Sequence, residues 1–205
     1  MNPIYSIIAL IYCFYNSVPV VESVDVKIFF EALCPDSRHF IINQLHPAWK
    51  DLSKHDIEIS FIPFGKAMSF DDGDHFVCQH GDDECYKNKI MSCALNKIDD
   101  KTKKVEYLRC SMDIFTSRRI PRRQKHDASK QCVKNADVEW HAVEDCLKSD
   151  QGKNLQLQAE KETMEISPSF IPTIVYNGVF NQTLQDRSLY NFKKTACSFI
   201  FNGCS

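Results

Sequence analysis

Val24-Asp25-Val26-Lys27-Ile28-Phe29-Phe30-Glu31-Ala32-Leu33-Cys34-Pro35-Asp36-Ser37-Arg38 is the stretch on which the reading of the fold turns. Its first ten residues are rich in β-branched and aromatic types, as expected of a central strand buried on both faces. Pro35 then marks a helix start, because the N–H that proline lacks would be unpaired in the first turn anyway. Cys34 therefore stands where a strand hands over to a helix. Unpaired backbone N–H groups and the helix dipole stabilise an anion at such a place. Sulfur attacks as the thiolate, so Cys34 is a candidate nucleophile and Pro35 part of its setting. A dithiol redox site would read Cys-x-x-Cys, and this chain has Ser37 at the second cysteine position.

Downstream, Ile41, Leu45, Trp49 and Leu52 recur at three- and four-residue spacing, which builds one apolar helix face. Pro47 interrupts that pattern and predicts a kink or break near His46. Asp56–Phe64 alternates polar and apolar residues as a strand does, and Pro63 and Gly65 end it. A long polar middle follows, with helical periodicity over Glu84–Ile98, Lys103–Phe115 and Asp137–Lys148, and a further helix expected over Gln151–Met164. Asp137 is read as the N-cap of the third of these. Arg118–Lys125 is a basic run expected to be a solvated connecting loop. Strand character returns at Ser167–Tyr176, and Asn177-Gly178 before Val179-Phe180 predicts a hairpin with a type I′ turn. A helix over Asp186–Phe201 closes the chain. The order is strand, cysteine helix, strand, helical insert, hairpin and helix: an α/β thioredoxin-like fold with a disulfide-rich helical insertion over about 66–164.

The chain has 205 residues, enough to bury a substantial core, and its formal net charge of −2 gives no reason to expect a nucleic acid partner. Ile4–Tyr15 is an uncharged apolar run, too short to span a bilayer comfortably. It fits the central region of a secretory signal peptide over residues 1–23, although no Lys or Arg precedes it. Cleavage is expected between Ser17 and Ser23, leaving a domain over 24–205 with no membrane contact. Of ten cysteines, Cys13 leaves with the leader, and nine remain. If Cys34 is the reactive thiol, Cys78, Cys85, Cys93, Cys110, Cys132, Cys146, Cys197 and Cys204 can form four disulfides, as an oxidising compartment allows. Roughly a hundred pairings are open to eight cysteines, and spacing does not choose among them. Cys197 and Cys204 lie close enough in sequence to staple the C-terminus.

Cys78-Gln-His80-Gly81-x-x-Glu84-Cys85-x-x-Asn88-x-x-x-x-Cys93 resembles the signature of the gamma-interferon-inducible lysosomal thiol reductase family, with every fixed position present. Leu33–Arg38 resembles that family's active-site stretch, and Pro63-Phe64-Gly65-Lys66-Ala67 its Pro-Tyr-Gly-x-Ala segment. The resemblance implies a thioredoxin-like core, a secreted or lysosomal location, and reduction of protein disulfides at acid pH. The family's reaction uses both cysteines of a CxxC, and this chain departs from it at Ser37. Resemblance to thioredoxin-fold proteins further implies that the Ile171–Pro172 bond is cis and lies against Cys34, where an extended substrate segment could pair with the backbone.

Thiol–disulfide exchange passes through a mixed disulfide that a second thiol must resolve. Serine cannot do this, so turnover calls for an external thiol such as cysteine or glutathione, or for a thiol of the substrate itself. The first route is a monothiol reductase and the second an isomerase. The competing reading is a non-catalytic secreted interaction or immune-modulating protein that keeps the fold without turnover. Disulfide-containing proteins are the expected partners, a monomer the expected state, and no cofactor or metal is expected. Cys78, His80, Cys85 and Cys93 lack the short paired spacing of zinc sites. His80 and Glu84 are read as local hydrogen-bonding or capping residues, Glu31 as a satisfied or strand-edge carboxylate rather than a proton relay, and His39 as solvent-facing. Asn181-Gln182-Thr183 is a glycosylation sequon.

Overall fold

The computed structural model describes residues 23–200 and 203–204. The expected leader, with Cys13, lies outside the described residues apart from Ser23. Strand β1 (Val24–Phe30) is the centre of a three-stranded sheet in the order β2-β1-β5. It runs parallel to β2 (Ile57–Pro63), with Val24 opposite Ile57 and Phe30 opposite Pro63, and antiparallel to β5 (Thr173–Tyr176), with Phe29 opposite Thr173. Val24, Val26, Ile28 and Phe30 face the large core together with Phe40, Ile41 and Leu45. On the opposite face Lys27 pairs with Glu162, while Phe29 joins a second cluster with Ile62, Ala159 and Val175.

The parallel β1–β2 crossover is one continuous helical rod. Helix α1 (Pro35–Phe40) passes through a π-helical turn over Ile41–Leu45 into α2 (His46–Leu52). The interruption expected from Pro47 takes this form: His46 N–H bonds to Ile41 O, five residues back. Pro47 follows directly, so the π turn shifts the hydrogen-bond ladder at the place where proline has no N–H to donate. Strands β3 (Met68–Phe70) and β4 (His75–Val77) form a small hairpin, and five helices follow: α3 (Asp82–Lys97), α4 (Lys101–Thr116), α5 (Arg122–Asn135), α6 (Trp140–Lys148) and α7 (Asp150–Ile166). Strand β5 and helix α8 (Gln182–Cys197) complete the chain. Four disulfides join Cys78 to Cys85, Cys93 to Cys146, Cys110 to Cys132 and Cys197 to Cys204. No helix among the described residues is long and apolar enough to cross a membrane.

Three expectations are corrected. The basic run is a loop only in its first half, because α5 begins at Arg122, directly after Pro121. Asp137 is not a helix cap: it adopts φ 60° in the turn between α5 and α6, and Glu139 precedes α6 with no side-chain cap. The Asn177-Gly178 turn forms with both residues at positive φ, but its second strand shrinks to a single bridge between Tyr176 and Val179. Val179 is 68% exposed, so nothing holds a longer strand there, and Asn181 already caps α8 by accepting from Leu184 N–H at 3.0 Å.

Candidate active site

Cys34 is the N-cap residue of α1, with φ −66° and ψ 123°. Its sulfur accepts from the backbone N–H of Ser37 (3.5 Å), and its thiol lies 3.7 Å from the carbonyl oxygen of Ile171. The Ile171–Pro172 bond is cis. The strand-end cysteine and the proline segment, far apart in sequence, are thus brought into contact. Cys34 is 7% exposed and belongs to an apolar cluster with Phe29, Ile62, Phe64 and Ile171, while Pro35 and Asp36 beside it face solvent. All eight other cysteines among the described residues are in disulfides, and Cys34 is the free one.

The three residues before Cys34 leave the strand ladder, and their backbone donors need other partners. Each finds a side chain. Glu31 N–H donates to Ser37 Oγ (3.3 Å), Ala32 N–H to Asn88 Oδ1 (2.9 Å) and Leu33 N–H to Glu84 Oε2 (3.2 Å). Ser37 is fully buried, so its hydroxyl serves the backbone of this turn while its own N–H faces the sulfur. Glu84 lies in the first turn of α3 and reaches back to His80, accepting from its N–H (3.0 Å) and from its ring Nδ1 (2.7 Å). The signature residues His80, Glu84 and Asn88 therefore act as a clasp on the chain leading to Cys34.

A second support comes from the segment after β2. Gly65 has φ +61°, and a Cβ there would fall 2.1 Å from Glu31 Cγ, so only glycine fits this approach. Lys66 N–H donates to Glu31 Oε1 (2.8 Å) and Lys66 Nζ to Ser169 O (2.8 Å), which links the cysteine turn to the proline segment. From α8, buried Gln185 donates to Pro172 O (2.7 Å) and accepts from Ile174 N–H (2.8 Å). Lys66 lies in a quoted segment; no sequence signal marked Gln185, whose role arises only when α8 packs on β5.

Glu31 differs from its sequence reading. It is fully buried, Oε1 is satisfied by Lys66, and Oε2 accepts no hydrogen bond among the described residues. Burial pushes its carboxyl up from the ordinary value; the Lys66 N–H works against that, and the Glu84 charge adds to it. His39 faces solvent and bonds Asn43. Cys78, Cys85 and Cys93 are tied up in disulfides, which removes the cysteines from any metal set that includes His80.

A βαβ unit that ends in an antiparallel strand, with a cysteine at the helix start and a cis-proline against its sulfur, defines a protein of the thioredoxin-like class. A crystal structure of a thioredoxin-like oxidoreductase from Silicibacter pomeroyi DSS-3 superimposes with a TM-score of 0.51 at 11% identity, covering 80% of this chain and 83% of that one, and supports the fold alone. The sequence model for gamma interferon inducible lysosomal thiol reductase matches residues 25–136. GILT-like protein 1 of Drosophila melanogaster is 30% identical over 97% of this chain and 84% of its own length. The gamma-interferon-inducible lysosomal thiol reductase of Carassius auratus is 32% identical over 90% and 70%. The chain belongs to the gamma-interferon-inducible lysosomal thiol reductase family.

Proposed function

We propose that the protein is a thiol–disulfide oxidoreductase that acts on protein disulfides through Cys34 alone. The observation that carries this reading is a free thiol at a helix N-cap, against a cis-proline segment, in a chain whose other described cysteines are all paired. The Cys34 thiolate attacks a substrate disulfide, forming a Cys34–substrate disulfide and releasing one substrate thiolate. An external thiol, cysteine or glutathione, then attacks that mixed disulfide. Two external thiols are oxidised to their disulfide for each substrate disulfide reduced, and Cys34 returns to the thiol. Where a substrate thiol makes the second attack instead, the same centre isomerises disulfides. Ser37 forms no S–S bond, and its hydroxyl oxygen is engaged by Glu31 N–H.

The compartment follows the same reading. Four disulfides and relatives named as lysosomal support a secreted or lysosomal location. Asn181 is exposed and caps α8 through Oδ1, so its Nδ2, the atom a glycan takes, is no part of that cap.

The test is reduction of insulin disulfides at acid and at neutral pH with excess small thiol, comparing wild type with Cys34→Ser. The variant is expected to fall to the uncatalysed rate. Equal rates would leave the fold as a binding module and sink the proposal.

A further inference from the structure

The Glu31 carboxylate has a feature that disulfide exchange does not use. Its Oε2 is buried without a hydrogen bond among the described residues, in a side chain only 1% exposed. His80 Nδ1 lies 3.4 Å from it, and the same nitrogen lies 2.7 Å from Glu84 Oε2. One ligand atom from each of the three residues lies within 4.8 Å of the other two. We propose that Glu31, His80 and Glu84 form a binding site for a divalent cation that prefers nitrogen and oxygen ligands, with Zn2+ as its probe.

Geometry, charge and access each point the same way. A tetrahedral zinc with ligands at about 2.0–2.2 Å sets neighbouring donor atoms about 3.3–3.6 Å apart. The Glu31–His80 pair already stands at that spacing, and the Glu84–His80 pair needs to open only slightly. Two carboxylates with fully buried side chains face one imidazole, and a buried anion of this kind calls for a cation or a proton. The Lys66 ammonium donates to Ser169 O and the Lys87 ammonium pairs with Asp83, so both are engaged elsewhere. The His80 side chain is 35% exposed, which gives a cation a path in and lets water complete its shell. The remaining atoms of the ligands are already held, Glu31 Oε1 by Lys66 N–H and Glu84 Oε1 by His80 N–H, as outer partners hold the ligands of metal sites. Binding displaces any proton on His80 Nδ1 and ties the turn before Cys34 to the start of α3.

The experiment is Zn2+ titration of the full mature chain carrying Cys34→Ser, which removes the thiol as a competing ligand. Competition with a chromogenic chelator gives affinity and stoichiometry, and Co2+ substitution gives the ligand-field spectrum. One ion per chain is expected, with no sulfur-to-cobalt charge-transfer band, and with affinity at least about tenfold weaker when Glu31→Gln or His80→Gln is added. Zn2+ should also raise the thermal midpoint of the Cys34→Ser chain, and raise it less at the same Zn2+ concentration when Glu31→Gln is added. His80→Gln, at a partly exposed position, keeps the test decisive if Glu31→Gln folds poorly. No stoichiometric binding, or undiminished binding in His80→Gln, overturns the proposal.

Discussion

Ser37 marks the chain's departure from a dithiol motif, and its environment gives it a structural task instead. Its hydroxyl oxygen accepts the N–H of Glu31 in a fully buried turn. Ser37→Ala should therefore cost about 1–3 kcal/mol, the penalty of leaving a buried donor without a partner, read from the shift in denaturant midpoint. Ser37→Cys places a second thiol beside Cys34, and its disulfide reduction should depend less on added small thiol; an unchanged dependence would mean that position 37 cannot reach the mixed disulfide. Gly65→Ala combines a positive φ with a Cβ 2.1 Å from Glu31 Cγ. The backbone term alone is about 1–2 kcal/mol, and the overlap must also push Glu31, so thermal stability and Cys34 alkylation rate should change together. The sequence made Cys34, Ser37 and the signature residues visible, but only as a pattern. That Asn88 would bind Ala32 N–H, or that Glu31 would be buried without a full set of partners, depends on chain segments some thirty to sixty residues apart.

At the level of elements, periodicity served well where one face meets a core. The strands β1 and β2 and the helices α3, α4 and α7 fall close to their expected spans, and in α4 Val105, Leu108, Met112 and Phe115 are buried at three- and four-residue spacing as expected. It failed where charge or turn chemistry competed. Helix α5 opens on a basic stretch that reads as solvated, and Cys110–Cys132 ties it to α4. The disulfides should differ in weight. Cys93–Cys146 spans 53 residues and joins α3 to α6, whereas Cys78–Cys85 spans 7. Loop-closure entropy gives about 4 kcal/mol for the first and about 2 kcal/mol for the second. Replacing each pair by alanines and comparing unfolding midpoints checks the ranking; a larger loss from the short loop would refute the entropic account.

Across the whole molecule, the centre is assembled from the end of β1, the turn after β2, the start of α3, the segment before β5 and a side chain of α8. The order of elements made the thioredoxin-like layout legible, while of the four disulfides only Cys197–Cys204 was suggested by sequence proximity and the other three were left to packing. A single free thiol among the described residues is the global consequence. Alkylation of the native, unreduced protein followed by mass spectrometry should modify Cys34 alone among the nine described cysteines; a second modified cysteine among them would contradict the four pairings.

The clasp on Glu31, Ala32 and Leu33 has a consequence in time as well as in space. These residues lie outside every strand and helix, where amide hydrogens ordinarily trade with solvent quickly. Their donors are nevertheless bound by Ser37, Asn88 and Glu84. In deuterated water the three amides should exchange nearly as slowly as those of β1, forming an island of protection directly before the cysteine. Asn88→Ala should erase it first at Ala32, while the sheet keeps its own protection.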